Sequence, residues 1–489
     1  MADIKQGKHK YILCVSSPYS QFQTNIKEFL ISWHKNRIGR GITKSYTRML
    51  SRPKLAVPLL ALGVLAGGTA LAQQGPVISD SLTLDGTIRS VLDANPAITS
   101  LEEEVNAASS RVTQTRGGFL PQITGTATYT RIDPVVKLQI TPDAPAFQFA
   151  PNNNYDAHIT LQYGLLDFGK KEATYNLAES RRISAVDQIN VTRRDLAYSA
   201  VQAYYNILFV RESIKVQDAQ IASLRQHQRE MEKRVEGGVS TRFDVTTTQV
   251  RITQAENTKI DLQNQLRNQQ VLLARLLHKP EYVEVPVRGT FAYQPQAIDV
   301  NAALTKAIDA RPEIKLARDA EQTAALNLKM VERANTPTFG VGAQLGAKNG
   351  YQPNLDKIRP NSVAVAQLSV PIYDGNKNKN QRVEAAANIR GAQARILDTQ
   401  EQVRSDVRQA ANNMESSTAR YNNALVQINQ ASDALTRAQA RYRYGVGNNL
   451  DVLDAETSLS QARLARLQAI YNYTLGQYQL KRATGEQIW

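Results

Sequence analysis

Residues 441–455 read R-Y-R-Y-G-V-G-N-N-L-D-V-L-D-A, and they interrupt a helical pattern that otherwise runs from about residue 377 to residue 485. Gly445 and Gly447, with the two asparagines that follow, can adopt the left-handed backbone that reverses a chain. Asp451 then stands where a helix N-cap is expected, and Asp454 where the first turn of that helix favours negative charge. The stretch therefore predicts the tip of a helical hairpin.

The same element occurs 207 residues earlier, where residues 238–245 read G-V-S-T-R-F-D-V. Gly238 corresponds to Gly445, and Asp244 corresponds to Asp451. A second pair of matching segments lies 216 residues apart, with D-A-N-P-A-I at 93–98 and D-A-R-P-E-I at 309–314. The chain is therefore predicted to be an internal duplication, with one hairpin tip in each copy.

The apolar residues change from helical to alternating spacing once in each copy, at 122–166 and at 338–372. Each of these regions holds two runs of about ten alternating residues, which is the length of a tilted membrane-spanning strand. One such pair alone would fit a soluble, half-buried hairpin better. The repeat offset falls from 216 to 206 across the strands, so we expect the loop near 132–156 to be the longer and more exposed of the two.

A very long helix is predicted after each hairpin. Residues 170–236 contain neither glycine nor proline, which allows roughly 100 Å of helix. A stripe of mostly apolar residues recurs every seven positions in both copies and predicts left-handed packing of neighbouring helices. In the first copy it comprises Ala200, Ile207, Ile214, Ile221, Gln228 and Val235, and in the second Val407, Met414, Tyr421, Ile428, Leu435 and Tyr442.

The first 72 residues carry most of the net charge of +15. Arg48, Arg52 and Lys54 precede an apolar run that closes on A-L-A at 70–72, which predicts a signal peptide cleaved before Gln73. Met49 is a candidate for the true start, and a long or dual-purpose leader is the alternative. The remaining chain is only mildly basic, which gives no support for a nucleic-acid partner.

Catalytic and metal chemistry has little support in the sequence. The single cysteine, Cys14, lies in the leader, so the mature chain has no disulfide, thiolate or lipid anchor on cysteine. His158, His227 and His278 are scattered and give neither metal-ligand spacing nor a triad. No phosphate-cradling motif is found. We predict a protein that is not an enzyme, has no cofactor or metal, and depends on a partner for energy.

The predicted architecture is mainly α with a small β part, in a duplicated order of helix, hairpin and long helix. We divide the chain into a leader (1–72), a first repeat (73–280), a connector (281–298) and a second repeat (299–489). Four strands cannot close a bilayer barrel, because the smallest known have eight. If the strands span a membrane, several chains must therefore share one barrel.

From about residue 81 to residue 485 the chain resembles the TolC family of outer-membrane efflux ducts, most specifically in residues 442–455 and the helix that follows. The resemblance implies a homotrimer in the outer membrane of a Gram-negative cell. Its long periplasmic α-barrel would join a shared transmembrane β-barrel of about twelve strands. It also implies a periplasmic adaptor and an inner-membrane pump of the RND or ABC class, for efflux or type I secretion.

The resemblance also assigns residues to a periplasmic gate. Acidic residues at Asp451 and Asp454 would ring the constriction, and Asp244 would tie to Tyr442. The family's tie from an arginine two residues after the tip glycine falls on Gly447 here, so that tie is missing. Arg242, Arg441 and Arg443 are nearby replacements.

Other interpretations remain beside this one. Asp244 and Asp451 would serve equally as helix caps, and Tyr442 as the last residue of its heptad stripe. For the whole chain, the alternatives are a periplasmic coiled-coil adaptor and a structural outer-membrane protein without a channel. The barrel-length strands disfavour the adaptor, and the duplicated acidic tips disfavour the structural protein.

Overall fold

The computed structural model describes residues 82–139, 141–142, 146–280, 284–291 and 293–489. The helices are α1 (Leu84–Ala94), α2 (Pro96–Gly117), α3 (Lys170–Glu236), α4 (Arg242–Leu276), α5 (Val300–Ala310), α6 (Pro312–Arg333), α7 (Lys377–Arg443) and α8 (Asn449–Ala483). The strands are β1 (Gln122–Arg131), β2 (Lys137–Leu138), β3 (Phe147–Gln148), β4 (Asn153–Leu166), β5 (Thr338–Lys348) and β6 (Arg359–Ser369). The mainly helical fold and the duplicated order of elements confirm the prediction.

The two longest helices, α3 and α7, have 67 residues each. Every position of the predicted seven-residue stripe is buried or half-buried in both helices, which confirms its register. A second column three residues further along α3 is fully buried and consists of Ala203, Val210, Gln217, Leu224 and Met231. Helix α3 packs against α2, α4, α6 and α8, so it joins elements of both repeats.

Strands from both repeats form one antiparallel sheet in the order β1-β4-β5-β6. Each predicted hairpin is present, and the hairpins meet where β4 pairs with β5. Because successive side chains of a strand point to opposite sides, the two faces of the sheet differ. One face carries apolar residues such as Ile123, Ile159 and Leu345, which are more than half exposed. The other carries Thr and Gln residues beside a groove of about 860 Å³.

The two hairpin loops differ in length as predicted. The first joins β1 to β4 through residues 132–152 and contains the short β2–β3 pair, whereas the second spans only 349–358. Tyr129 and Tyr155 pack together beside the longer loop, with ring centroids 5.2 Å apart.

An apolar core around the middle of α3 includes the N-terminal helix and the end of α4. Leu82 forms a parallel bridge with Val287, and Ile88 and Val91 of α1 are fully buried against α3. The predicted leader and its cleavage lie outside the described residues. Among the helices of the described ranges, none is both long enough and apolar enough to cross a membrane.

A buried ion cluster joins α3, α6 and α7. Arg194 and Arg311, both less than 10% exposed, donate hydrogen bonds to the carboxylate of Glu313, and Arg311 also donates to Asp406 at 2.6 Å. Burial opposes ionisation of Glu313, but the two guanidinium groups outweigh it and hold the pKa of Glu313 at about 2. The cluster therefore stays charged at neutral pH and holds the three helices in one arrangement.

A second contact between α3 and α6 depends on a proton. Asp187 is 4% exposed and accepts a hydrogen bond from Lys315 at 2.8 Å. Burial and the neighbouring Asp187 carboxylate raise the pKa of Asp319 from 3.8 to about 6. Because folding favours the protonated form, the stabilisation from Asp319 is complete below pH 3.8 and is lost as the pH rises through about 6.

We therefore predict that the melting temperature falls between about pH 5 and about pH 7.5, by roughly 2 °C more in the wild type than in Asp319→Asn. Thermal unfolding of the detergent-solubilised protein, followed by circular dichroism, measures this difference. Asp398→Asn, which removes an exposed carboxylate from α7, is the control and should behave as the wild type. Equal slopes for the wild type and Asp319→Asn would contradict the proton-linked contact.

Candidate functional site

The two hairpin tips lie where the sequence placed them. Helix α3 ends at Glu236 and α7 at Arg443, and the glycines that follow, Gly238 and Gly445, have φ angles of 73° and 75°. L-residues rarely adopt these angles, so each tip depends on its glycine to reverse the chain.

Each tip ends in a capping box that starts the next helix. Thr241 is the N-cap of α4, and its side chain and that of Asp244 accept hydrogen bonds from each other's backbone N–H groups at 3.2 and 3.3 Å. Asn448 takes the same place before α8, with Asp451 as the third helical residue. The expectation that Asp451 is the N-cap is therefore wrong, because an asparagine three residues earlier caps equally well.

The expectation that Asp454 lies in the first turn of α8 is also wrong. It is the sixth helical residue, and its Oδ1 accepts a hydrogen bond from Arg251 of α4 at 3.2 Å. Sequence analysis missed Arg251, although it lies seven residues after Asp244 and hence on the same helix face. An exposed pair of this kind contributes little to stability, but it offsets part of the charge of Asp454.

A glycine is required at position 447 because the turn passes close to Arg441 and Tyr442, and not because of its backbone angle. A Cβ atom at this position would lie 2.9 Å from both the Cβ of Arg441 and the backbone nitrogen of Tyr442. Real Cβ atoms essentially never come this close, so no side chain fits here without a shift of the turn. In this turn, an arginine at position 447 has no room.

Tyr442 and Asp244 are brought together through a third residue. The Tyr442 hydroxyl lies 3.0 Å from the Ser240 hydroxyl, which in turn donates to the Asp244 carboxylate at 3.2 Å. The family resemblance implied a direct tie between Tyr442 and Asp244, and in this chain Ser240 stands between them. Because Ser240 lies in the first tip and Tyr442 at the end of α7, this relay links the two repeats.

The arginine that reaches across the tips is Arg234, which sequence analysis did not single out. Its Nη1 donates to the backbone oxygen of Arg443 at 3.1 Å, and its guanidinium lies 5.0 Å from the centre of the Tyr442 ring. The guanidinium both stacks over an aromatic ring and donates to a carbonyl at the C-terminus of a helix. The two contacts together stabilise the end of α7. No local sequence signal marks this contact, because the partners are 209 residues apart.

Both tips expose apolar side chains at equivalent positions. Val239 and Val446 are each 67% exposed, and Phe243 is 76% exposed. Among the described residues, no group of three or more His, Cys, Asp and Glu side chains could hold a metal ion. The site thus combines acidic, hydrogen-bonded helix starts with exposed apolar turns.

Comparison with known proteins gives relatives over most of the chain. The family described as outer membrane efflux protein matches residues 87–278 and 303–486. The outer membrane protein TolC of Escherichia coli (strain K12) is 23% identical over 408 residues, covering 80% of each chain. The outer membrane efflux protein BepC of Brucella suis biovar 1 (strain 1330) is 24% identical over 437 residues, covering 88% of this chain and 91% of BepC. The outer membrane protein VceC from Vibrio cholerae shares the fold, with a TM-score of 0.70 at 20% identity, covering 83% of this chain and 97% of VceC.

The close approach at Gly447 yields a prediction. Gly447→Ala should displace the turn and loosen the hydrogen bonds at 441–451, which hydrogen exchange would detect as faster exchange of those amides, by about tenfold. Gly391→Ala is the matched control, because nothing lies within 4 Å of a Cβ at that helical position. It should leave exchange at the tip unchanged and slightly stabilise α7. Unchanged exchange in Gly447→Ala would show that the turn tolerates a side chain.

Proposed function

The chain belongs to the outer membrane efflux protein family, and on that premise we propose that three copies form a duct opened at its periplasmic end. The protein is an outer-membrane channel of the kind that serves efflux and type I secretion. The observation that carries the proposal is the sheet, which has one apolar face, one polar face and two free edges.

The free edges argue for several copies. Strands β1 and β6 each pair on one side only. Unpaired backbone N–H and C=O groups cannot face lipid, because nothing there satisfies them. If β6 of one copy pairs with β1 of the next, three copies close a barrel of about twelve strands without an edge. The apolar face would then contact lipid, and the polar face would line the lumen.

The long helices would continue this barrel away from the membrane. At about 1.5 Å per residue, α3 and α7 each extend roughly 100 Å, which suits a helical duct across the periplasm. Their far ends carry the two tips, so Asp451 and Asp454 of three copies would surround one mouth. The capping and gating roles of Asp244 and Asp451 are compatible, since a capping carboxylate keeps its negative charge.

The tips also suit the partners implied by the family. An inner-membrane pump of the RND or ABC class would supply the energy, and a periplasmic adaptor would bridge it to the duct. The exposed Val239, Phe243 and Val446 favour docking of a helical adaptor tip by burial of apolar surface.

The orientation can be tested by labelling single cysteines, because the mature chain has none of its own. We predict that Ala146→Cys, in the longer hairpin loop, reacts in intact cells with a maleimide attached to a polymer too large to cross the outer membrane. Val239→Cys, at the first tip, should react only after the outer membrane is permeabilised. The reverse pattern would contradict the proposed topology, and recovery outside the outer-membrane fraction would contradict the channel itself.

The charge of the mouth gives a second test, in trimers reconstituted in planar bilayers. We predict cation selectivity and block by a trivalent cation added at the tip side, because confined carboxylates attract counter-ions. Asp451→Asn should weaken the block by at least about tenfold, equivalent to ~1.4 kcal/mol, while asparagine still accepts the capping hydrogen bond. Asp451→Asn with Asp454→Asn should abolish it.

A variant that removes the Arg251 contact should change the cation block in the opposite direction. Arg251→Gln removes the cation that pairs with Asp454 and should therefore strengthen the block. Asp433→Asn, which removes an exposed carboxylate of α7 away from the tip, should leave selectivity unchanged. If all of these variants kept wild-type selectivity and block, the aspartates would act as helix caps only.

A further inference from the structure

A buried polar pair fastens the start of α8 to α3. His227 and Asn449 are 8% and 3% exposed, and the histidine Nε2 lies 2.8 Å from the asparagine Oδ1. The Asn449 amide nitrogen donates to the backbone oxygen of Asp244 at 3.2 Å and to the Thr248 hydroxyl at 3.4 Å. Because the amide nitrogen faces these oxygens, Oδ1 faces His227, which therefore carries a proton on Nε2.

A second buried polar pair lies farther along the same contact. Ser223 donates to the carboxylate of Glu456 at 2.9 Å, and Glu456 is 5% exposed. Between the two pairs lies Leu453, fully buried in an apolar cluster. Ser223 and His227 are one turn apart on α3, and Asn449 and Glu456 two turns apart on α8, so each pair faces the partner helix.

These two pairs define one position of α8 on α3. Buried donors and acceptors are costly when unpaired, and a shift of α8 by one turn would separate both pairs at once. An apolar contact would tolerate such a shift better, because its packing is not directional. Polar pairs inside an otherwise apolar helix contact therefore specify register more than they add stability.

The two polar pairs are not repeated in the second copy of the duplicated sequence. The repeats are offset by 207 residues, so each of the four residues has a corresponding position in the other repeat. In the order Ser223, His227, Asn449 and Glu456, these positions are Gln430, Ala434, Arg242 and Gln249. These four include neither a histidine nor a carboxylate. In the described part of the chain, the polar contact thus occurs at only one of two equivalent places, the one where α8 leaves its tip.

We propose that His227 and Asn449, supported by Ser223 and Glu456, form a latch that positions α8 on α3 and so sets the closed state of the duct. These are positioning residues, and the inference rests on the proposed function of the tips as a gate. Asn449 is the first residue of α8 and lies two residues before Asp451. The latch therefore places the acidic residues that would surround the mouth.

The same pairs suit a contact that must part and close again. When α8 separates from α3, water can hydrate the imidazole, amide and carboxyl groups, whereas an apolar contact would expose surface that water disfavours. Burial raises the pKa of Glu456, and the hydrogen bond from Ser223 partly opposes that shift. On closing, only the original register satisfies all four side chains.

The test measures resting conductance of reconstituted trimers together with their melting temperature. His227→Leu removes the donor to Asn449, and we expect resting conductance to rise about tenfold, which corresponds to ~1.4 kcal/mol. Its melting temperature should fall slightly, because the buried Asn449 oxygen is left unpaired. His227→Gln restores a donor at a similar reach and should return conductance to near the wild-type value. Asn449→Leu should leak as His227→Leu does, and the double variant should leak less than the sum of both effects.

The controls separate the latch from the proposed function. Gln226→Leu makes the same kind of change on an exposed face of α3 and should leave conductance unchanged. The latch is wrong if His227→Leu stays at wild-type conductance or if His227→Gln leaks equally. It is also wrong if Val210→Ala, which truncates a buried side chain of α3 far from the tip, leaks as much. If neither the wild-type trimers nor the latch variants conduct, the proposed function itself fails. If wild-type trimers are blocked at the tip but the latch variants behave as wild type, only the latch fails.

Discussion

A helix of 67 residues depends on what it packs against along its whole length, and this constraint governs the structure. Helix α3 contacts α2, α4, α6 and α8, and its buried column consists of residues spaced by seven. That spacing requires the partner helices to follow the same supercoil, because a straight helix would turn its stripe away from them. The ion cluster around Glu313 and the apolar contacts near Leu453 both lie on these lines of contact. The two repeats are therefore held as one body through α3.

The sheet has a related constraint, which is the need to satisfy the hydrogen bonds of its backbone. Four strands satisfy their inner hydrogen bonds within the chain, but β1 and β6 leave one edge each. Long helices satisfy their own backbones and need only side-chain contacts, whereas strands need a neighbour. The proposed assembly rests on this difference, since it would pair the free edges of neighbouring copies and the helices would then continue the ring. The alternating pattern supports it, with Thr and Gln side chains mainly on one face and apolar side chains mainly on the other, although Val363 and Val365 of β6 lie on the Thr and Gln face.

Much of this fold could be predicted from the sequence, because its signals are long and repeated. The bounds of α3, the four long strands and the unequal hairpin loops all follow from glycine and proline positions, from alternation and from the change in repeat offset. The N-cap of α8 could not be fixed, because Asn448 and Asp451 are both good capping residues and only the backbone decides between them. The contacts of Arg234, Ser240 and His227 were missed for another reason. Their partners lie more than 200 residues away, and such pairs leave no local pattern.

The turn at Gly447 limits which residues can make side-chain contacts to the second tip. The chain passes so close to Arg441 and Tyr442 that a side chain at position 447 is excluded, and with it a tie from the turn itself. Side-chain contacts that hold this tip therefore come from other parts of the chain. Arg234 reaches the end of α7, Ser240 reaches Tyr442, and His227 reaches the start of α8. All three belong to the first repeat and all three partners to the second. The tip of the second repeat is thus held by side chains of α3 and of the first tip.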